Sequence, residues 1–95
     1  MNPGASWADD EERWEAVMML EAFVLIKNEV GRSARVAGSI RDLDGVLRVD
    51  VVTGPYDVIV RAEADSIDEL GKRVLRPIQQ VEGVIRTMTC PILYR

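Results

Sequence analysis

The residues best suited to chemistry lie in one short stretch, Thr53-Gly54-Pro55-Tyr56-Asp57. Its carboxylate, phenol and hydroxyl can exchange hydrogen bonds with a small polar molecule. Gly54 has no Cβ, so its backbone N–H is open to close approach by an anionic group. Thr87 and Thr89 add two hydroxyls at a spacing that places both on one face of a strand. These seven residues are the predicted ligand-binding residues.

Each of these residues also has a purely structural interpretation. A Gly-Pro pair is typical of a turn, and Asp57 can hold such a turn by accepting a hydrogen bond from a nearby backbone N–H. Tyr56 can be an aromatic residue at the edge of a core, and the two threonines can form an ordinary strand face. Residue types and spacing alone leave both interpretations open.

Two alternating runs flank Gly54-Pro55 and predict the arms of a β-hairpin. On the return arm, apolar residues recur at every second position from Val58 to Ala64, which is the period of a strand with one face on a core. Gly54 can take a positive φ and Pro55 fixes its own φ, so a tight turn is expected between the arms. On the outgoing arm the apolar set is predicted to be Leu47, Val49, Val51 and Thr53.

A strand and a helix are predicted before the hairpin. Residues 18–26 are apolar on both parities apart from Glu21, and Lys27 ends the run; this pattern favours a central strand covered on both faces. Val36, Ile40 and Leu43 are spaced four and then three residues apart, which predicts a helix with one apolar face. We expect this helix to end at Asp44-Gly45, where the glycine can adopt the left-handed conformation.

A second helix and a last strand are predicted after the hairpin. Ser66 and Glu69 form a capping box at the start of a helix over residues 67–82. Pro77 lies inside this helix and removes a backbone donor, so we expect a kink there. Residues 84–94 predict the last strand, and Pro91 within it indicates an edge position or a bulge.

The predicted order β-α-β-β-α-β is that of a ferredoxin-like α+β fold, an antiparallel four-stranded sheet with two helices on one face. Two segments that match by residue type, 43–48 and 81–86, fit the two halves of such a fold. The first and third strands are expected at the centre. The hairpin tip, Lys27-Asn28 and Arg86-Thr87 are then expected at one end of the sheet. Because the first strand separates the third from the fourth by roughly 10 Å, a small ligand there would be closed in by another subunit.

The second face of this sheet is expected to carry no helix. Phe23, Leu25 and Ile59 should lie on it, beside polar residues such as Arg61 and Glu63. An uncovered face with large apolar side chains usually meets a partner. Because most homo-oligomers are symmetric, we expect at least a homodimer, built as a dimeric α+β barrel.

Composition narrows the classes of function. The chain has 95 residues, a net charge of -4 and no histidine. One domain is expected, and the acidic balance argues against direct nucleic-acid binding. Without the commonest general base and metal ligand, we expect neither an enzyme nor a metal site nor a cofactor. Cys90 is the single cysteine, and no apolar run is long enough to cross a bilayer, so we expect a cytoplasmic protein without membrane association.

The chain is predicted to divide in two. Residues 1–17 contain the acidic run Asp9-Asp10-Glu11-Glu12, with Trp7 and Trp14 seven apart, and are expected to form an acidic tail or a short helix. Residues 18–95 are expected to form the folded domain.

The folded part resembles a known family. Several of its motifs are similar to those of the effector-binding domain of Lrp/AsnC transcriptional regulators. These motifs are Ala22-Phe23-Val24-Leu25-Ile26, a glycine at Gly31, the two Gly-Val pairs and the Val52–Asp57 hairpin. This module is also called the RAM domain. Leu70 and the Thr87-x-Thr89 motif complete the pattern, which runs from about Met18 to Tyr94.

The resemblance implies a specific assembly and ligand. Subunits of this family pair sheet to sheet, and the dimers join into higher, often octameric, rings with amino acids bound between dimers. We therefore expect an oligomeric domain that binds a small-molecule effector, an amino acid, at the seven residues named above. Family members carry an N-terminal helix-turn-helix, which residues 1–17 are too few to form, so we expect a stand-alone ligand-binding domain in transcriptional or metabolic regulation.

Two alternatives remain at this point. The chain can be an assembly partner of full-length Lrp/AsnC regulators that has no ligand of its own. It can also be a small dimeric α+β-barrel enzyme of the monooxygenase or isomerase type. An enzyme would have to rely on Tyr56, Asp57 or Cys90, since histidine is absent.

Overall fold

The central element of the fold is the strand β1 (Leu20–Asn28), which pairs on both of its edges. The structure is a computed structural model that describes residues 19–94. The prediction of an acidic tail or short helix over residues 1–17, with Trp7 and Trp14, lies outside the described residues.

The predicted order β-α-β-β-α-β is confirmed. After β1 come the helix α1 (Ser33–Arg41) and the hairpin strands β2 (Val46–Val51) and β3 (Val58–Ala64). The second helix, α2, consists of three consecutive segments, and the strand β4 (Val84–Pro91) follows it. The three segments of α2 are Ile67–Leu70, Gly71–Leu75 and Arg76–Gln79.

The four strands form one antiparallel sheet in the order β2-β3-β1-β4. The predicted central positions of β1 and β3 are therefore confirmed. Pro91 ends an edge strand, where its missing N–H breaks no ladder bond towards the centre. The predicted last strand is three residues shorter than expected, although the Ile92 N–H still donates to the Glu21 carbonyl at 2.8 Å.

One sheet face packs against both helices and forms the core. Side chains at alternate positions of β1 and β3 are fully or almost fully buried there, as their period of two predicts. The helix stripe predicted from Val36 and Ile40 is buried against them. The core consists of Ala22, Val24, Ile26, Val36, Ala37, Ile40, Val49, Val58, Val60, Ala62, Ala64, Leu70, Val74 and Ile78.

The prediction for Leu47 on the outgoing hairpin arm was wrong. The β2–β3 register shifts between Val46 and Arg48, so one extra residue enters β2 and the parity changes. Val46 packs against the core instead, while Leu47 is 48% exposed. Val51 is half exposed as well, and Val49 alone keeps its predicted buried position.

Pro77 is accommodated by a widened turn in α2. In a regular α-helix its ring would collide with the carbonyl of Arg73, four residues earlier. The preceding segment Gly71–Leu75 is a π-helix, in which the Arg76 N–H donates to the Gly71 carbonyl. A π turn closes its hydrogen bond over one more residue than an α turn, which moves the obstructing carbonyl of Arg73. The helix ends at Gln79, three residues before the predicted end.

The second sheet face carries no helix within the described residues, as predicted. The register places Phe23 opposite Arg61, and Leu25 between Ile59 and Met88. Phe23 and Met88 remain substantially exposed. We use the term open face for the surface formed by the four apolar residues Phe23, Leu25, Ile59 and Met88 together with the charged residues beside them, such as Arg61.

Gly45 has a conformation and a position that only glycine fits. Its φ is +84°, and a Cβ there would lie 2.8 Å from the Glu63 carbonyl oxygen and 3.0 Å from Val74. Gly38 is the contrasting case, because it lies in α1 and a Cβ there meets nothing within 4 Å.

We expect substitution by alanine to change the free energy of unfolding in opposite directions at these two glycines. Gly45→Ala should lower the free energy of unfolding by more than about 2 kcal/mol, because the left-handed conformation and the clash add. Gly38→Ala should raise it by about 0.5–1 kcal/mol, because alanine favours an exposed helix position. Urea unfolding of both variants measures the difference, and a tolerated Gly45→Ala would contradict the close approach of β2 to β3.

Candidate functional site

The candidate site begins at the tip of the hairpin, where the chain leaves β2 and returns as β3. The Val52 N–H donates to the Asp57 carbonyl at 2.9 Å, and the Asp57 N–H donates to the Ile26 carbonyl at 2.8 Å. These two bonds tie the tip to the end of β1. Gly54 has the predicted positive φ, +146°, and nothing lies within 4 Å of where its Cβ would be. Thr53, Gly54 and Pro55 are exposed, so the tip is open to a ligand or a second subunit.

The Asp57 carboxylate joins the hairpin to the end of β1. Its Oδ2 accepts from the Asn28 backbone N–H at 2.9 Å and lies 3.6 Å from Lys27 Nζ. Asn28 is buried and in turn donates to the Glu29 carbonyl and to Ser33 Oγ. The structural interpretation of Asp57 therefore holds in part, because this carboxylate does fix backbone. It fixes the end of β1 rather than the turn itself.

The charged part of this cluster is accessible to solvent. The Asp57 side chain is 25% exposed and that of Lys27 is 40% exposed. An ion pair this open contributes little to stability, whereas the charge-assisted bond to the Asn28 N–H is short and partly buried. One contact of the carboxylate is thus structural, and the other is a solvent-accessible ion pair.

Tyr56 reaches across β1 to the far edge of the sheet. Its hydroxyl donates to Met88 Sδ at 3.6 Å. Met88 lies opposite Leu25 on the open face, so the tyrosine ring covers the hairpin end of that face. The roughly 10 Å between β3 and β4 is bridged by this one aromatic side chain.

Thr87 and Thr89 lie on the other face of the sheet. They pair with the buried residues Ile26 and Val24, so by strand alternation their side chains point towards the helices. The Thr87 hydroxyl accepts from Gln79 Nε2 of α2 at 3.3 Å. The structure thus brings Thr53–Asp57 together at the hairpin tip and separates this group from the two threonines.

Lys27 and Arg86 complete the hairpin end of the open face. They are register partners in β1 and β4, and the sequence placed both at this end without giving them a role. Met88 was missed altogether. The signal that could have found these residues is their parity: 23, 25 and 27 on β1 share one face with 86, 88 and 90 on β4.

Polar contacts surround the apolar centre of the open face. The Arg61 guanidinium lies 5.9 Å from the centroid of the Phe23 ring and donates from Nε to Glu21 Oε1 at 3.0 Å. A cation over an aromatic face is attracted to the ring. This contact helps to orient the Phe23 ring, which stays partly exposed on the open face.

A cleft of about 210 Å³ lies at the opposite end of the sheet. Its polar lining consists of the carboxylates Asp44, Glu63 and Asp65 together with Arg73. It adjoins Ala64, which pairs with Leu20 at the far end of β1 from the hairpin tip. The cleft is therefore separate from the candidate site.

Three further observations concern residues 19–94. No three His, Cys, Asp or Glu side chains in this range are grouped so that they could hold a metal ion. None of the helices in the same range is long and apolar enough to cross a membrane. Cys90 is a free, exposed thiol opposite Phe23 on the open face.

Comparison with known proteins identifies the family. The family model described as the Lrp/AsnC ligand binding domain matches residues 21–95. The chain belongs to the Lrp/AsnC ligand binding domain family. The resemblance drawn from the hairpin and the two Gly-Val junctions is therefore confirmed, and so is the ferredoxin-like fold class that it implied.

The relatives of this Lrp/AsnC domain include regulators and solved structures. An uncharacterized HTH-type transcriptional regulator of Pyrococcus furiosus is 32% identical over 71 residues, which are 72% of this chain and 47% of that protein. A Thermus thermophilus crystal structure is 34% identical, with a TM-score of 0.74, and the match covers 80% of this chain and 95% of that one. A Neisseria meningitidis transcriptional regulator in complex with L-Met has the same fold at 22% identity, with a TM-score of 0.71 and coverage of 87% and 54%. The chain thus spans about half the length of the curated relatives it matches.

The structural contact of Asp57 gives a prediction about stability. Asp57→Ala should lower the free energy of unfolding by about 1–3 kcal/mol, because the Asn28 N–H loses its acceptor. Asp57→Asn retains an oxygen that can accept this bond, and should cost clearly less. Chemical denaturation checks both variants, with Asp42→Ala, at an exposed aspartate after α1, as the control. An Asp57→Ala protein as stable as the control would show that this bond contributes nothing.

Proposed function

We propose that this Lrp/AsnC domain is an oligomeric, amino-acid-binding regulatory domain that acts in transcriptional or metabolic regulation. The observation that carries the proposal is the pair of opposite charges formed by Asp57 of the hairpin and Lys27 at the end of β1. Asp57 and Lys27 stand 3.6 Å apart, partly exposed, beside the exposed glycine Gly54. An α-amino acid carries the complementary ammonium and carboxylate, and charge-assisted hydrogen bonds are the strong ones.

Family membership supports an amino acid over other small molecules. The regulator from Neisseria meningitidis, which shares the fold, holds L-Met. In this chain the ligand-binding residues of the proposal are Thr53, Gly54, Pro55, Tyr56 and Asp57 at the tip. Thr87 and Thr89, which lie on the helix side of β4, are proposed to contribute from the neighbouring edge of the sheet. No catalytic or metal-binding residue is part of the proposal.

The open face is proposed as the homodimer interface. Phe23, Leu25, Ile59 and Met88 form one apolar patch with a charged rim, the composition of a protein interface with an apolar core. Two subunits pairing face to face around a twofold axis would build the α+β barrel and bury Phe23 from both sides. Further pairing into a ring would close the hairpin tips, which are open in one subunit.

The proposed domain works without a DNA-binding module of its own. The Thermus thermophilus structure supports this, because 95% of that chain is covered by the same single domain. The acidic balance of the sequence also argues against direct binding to nucleic acid. We propose a regulatory rather than an enzymatic role, in the cytoplasm, for residues 18–95, with residues 1–17 as a separate tail.

A second candidate function is co-assembly with full-length Lrp/AsnC regulators. Matches that cover about half of HTH-type transcriptional regulators favour it, since the matched half could pair in either homotypic or mixed dimers. In that case the open face would still be the interface, but the hairpin tip would need no ligand.

Ligand binding is tested by thermal unfolding against the twenty amino acids. At about a hundred times its dissociation constant, a ligand should add roughly 2.7 kcal/mol to the stability of the folded state and raise Tm. Asp57→Asn should abolish the shift while keeping most of the basal stability, and Asp42→Asn should keep both. If no amino acid raises Tm, amino-acid binding is wrong and co-assembly becomes the leading function.

Dimerisation is tested by placing a charge in the open face. Phe23→Asp should convert the wild-type oligomer to monomers, because a carboxylate in an apolar interface core is not compensated. Val30→Asp, at a fully exposed apolar residue in the loop after β1, should leave the mass unchanged. Light scattering gives the mass of each protein. A monomeric wild type, or a Phe23→Asp variant of unchanged mass, would contradict the proposed interface.

A further inference from the structure

The outer surface of α2 carries a groove that neither the core nor the candidate site uses. Its volume is about 340 Å³, and its apolar floor is formed by Ile67, Gly71 and Leu75, which recur every four residues and so lie in one row along the helix. Ile67 is 60% exposed, and a Cβ at Gly71 would meet nothing within 4 Å. We call this surface the α2 groove. It is an apolar row, open to solvent, with a gap at its centre.

A second row of side chains gives the α2 groove a positive edge. Lys72 and Arg76 are exposed and lie four residues apart, a spacing at which like charges repel each other. Neither of them forms an ion pair within residues 19–94. Asp68 is the only carboxylate among the described residues that line the groove. The groove therefore has an excess of one positive charge, which favours an anionic occupant.

The net charge of the chain is concentrated ahead of the described residues. Five of its sixteen acidic residues and one of its twelve basic residues fall within residues 1–18, so this segment has a net charge of -4 and residues 19–95 have none. The same segment holds both tryptophans of the chain, Trp7 and Trp14. Large aromatic side chains are suited to an apolar groove, and their faces attract cations. The segment thus complements the α2 groove in both charge and side-chain type.

The segment joins the domain next to α2. Met19 lines the cleft at the far end of the sheet together with Arg73 and Val74 of that helix. At the length of an extended chain, Trp14 can lie up to about 18 Å from Met19 and Trp7 up to about 40 Å. The groove of the same subunit is therefore within reach of both indoles. A segment tethered this closely has an effective concentration of about millimolar, so a weak contact is enough to hold it.

We propose that residues 1–18 dock into the α2 groove, with an indole over Gly71 and carboxylates of the segment beside Lys72 and Arg76. The cleft next to Met19 is nearer, but three carboxylates line it and would repel the acidic segment. The docked segment covers an apolar helix surface that is otherwise open to unrelated proteins. This inference goes beyond amino-acid binding at the hairpin and does not depend on it.

Tryptophan fluorescence measures this contact directly, because residues 1–18 hold every tryptophan of the chain. Quenching by acrylamide, a neutral molecule, reports how exposed the indoles are without a bias from surface charge. The matched control reverses two exposed arginines of α1, which changes the net charge by the same amount as the reversal in the groove. The four proteins are the wild type, the double variant Lys72→Glu/Arg76→Glu, Gly71→Gln, and the control Arg35→Glu/Arg41→Glu.

The wild-type indoles should be quenched less, and should emit at shorter wavelength, than those of the urea-unfolded chain. Lys72→Glu/Arg76→Glu should raise the quenching constant close to the unfolded value, because the edge of the groove then repels the segment. Gly71→Gln should raise it as well, because the new side chain fills the gap. Arg35→Glu/Arg41→Glu should match the wild type.

Three results overturn the inference: wild-type indoles quenched as fully as in urea, a groove variant that stays as protected as the wild type, or a control that loses as much protection as the groove variants. Circular dichroism and urea unfolding show that each variant is folded under the conditions of quenching. Glutamate and glutamine both favour a helix, and glutamine does so more than the glycine it replaces. Lost protection in these variants therefore reports lost docking and not an unfolded α2.

Discussion

The core, the open face and the candidate site all depend on one constraint, the pairing of β1 on both of its edges. β3 lies along one edge and β4 along the other, so the backbone of this strand is satisfied by partners on either side. One face of the strand is fully buried, with Ala22, Val24 and Ile26 at the centre of the core. Its other face supplies Phe23, Leu25 and Lys27 to the open face. The same nine residues therefore fix the core, the proposed interface and one half of the candidate site.

The candidate site is built where this pairing ends. Asp57 completes the ladder by accepting from the Asn28 N–H, so a structural bond fixes the carboxylate that the proposed function needs. A side chain held in this way loses little freedom when a ligand arrives, which lowers the entropic cost of binding. Tyr56 serves the same end by covering β1 and touching Met88. These contacts tie the hairpin tip to β1 and β4, although its outermost residues are exposed.

Much of the fold could be predicted because its signals are local. The alternation of Val58 to Ala64 defined β3, and the capping box at Ser66, whose Oγ accepts from the Glu69 N–H at 3.1 Å, defined the start of α2. The bulge after Val46 was not predictable, because an extra residue in one strand is seen only against its partner. The π turn before Pro77 is one of several ways to accommodate a proline inside a helix, and sequence does not choose between them.

The candidate site was predicted less completely than the fold, because part of it depends on contacts between residues far apart in the sequence. Residues of the hairpin tip are contiguous, so turn chemistry marked them together. The sheet faces of Thr87 and Met88 depend on the β1–β4 register, which pairs residues about sixty positions apart, such as Ile26 with Thr87. A register shift of one would exchange the two side chains between faces. The position of Lys27, 3.6 Å from Asp57 and opposite Arg86, likewise depends on the pairing of β1 with both of its neighbours.

The position of β1 also determines how the chain can fold during synthesis. Both of its partners come later in the sequence: Leu20 pairs with Ala64, and Ala22 pairs with Pro91. β1 can therefore pair with β3 before β4 is made, but its second edge stays open until β4 has followed. Both pairings close long loops, and the entropy of loop closure is lost before the contacts compensate it, so strands paired in this way form slowly.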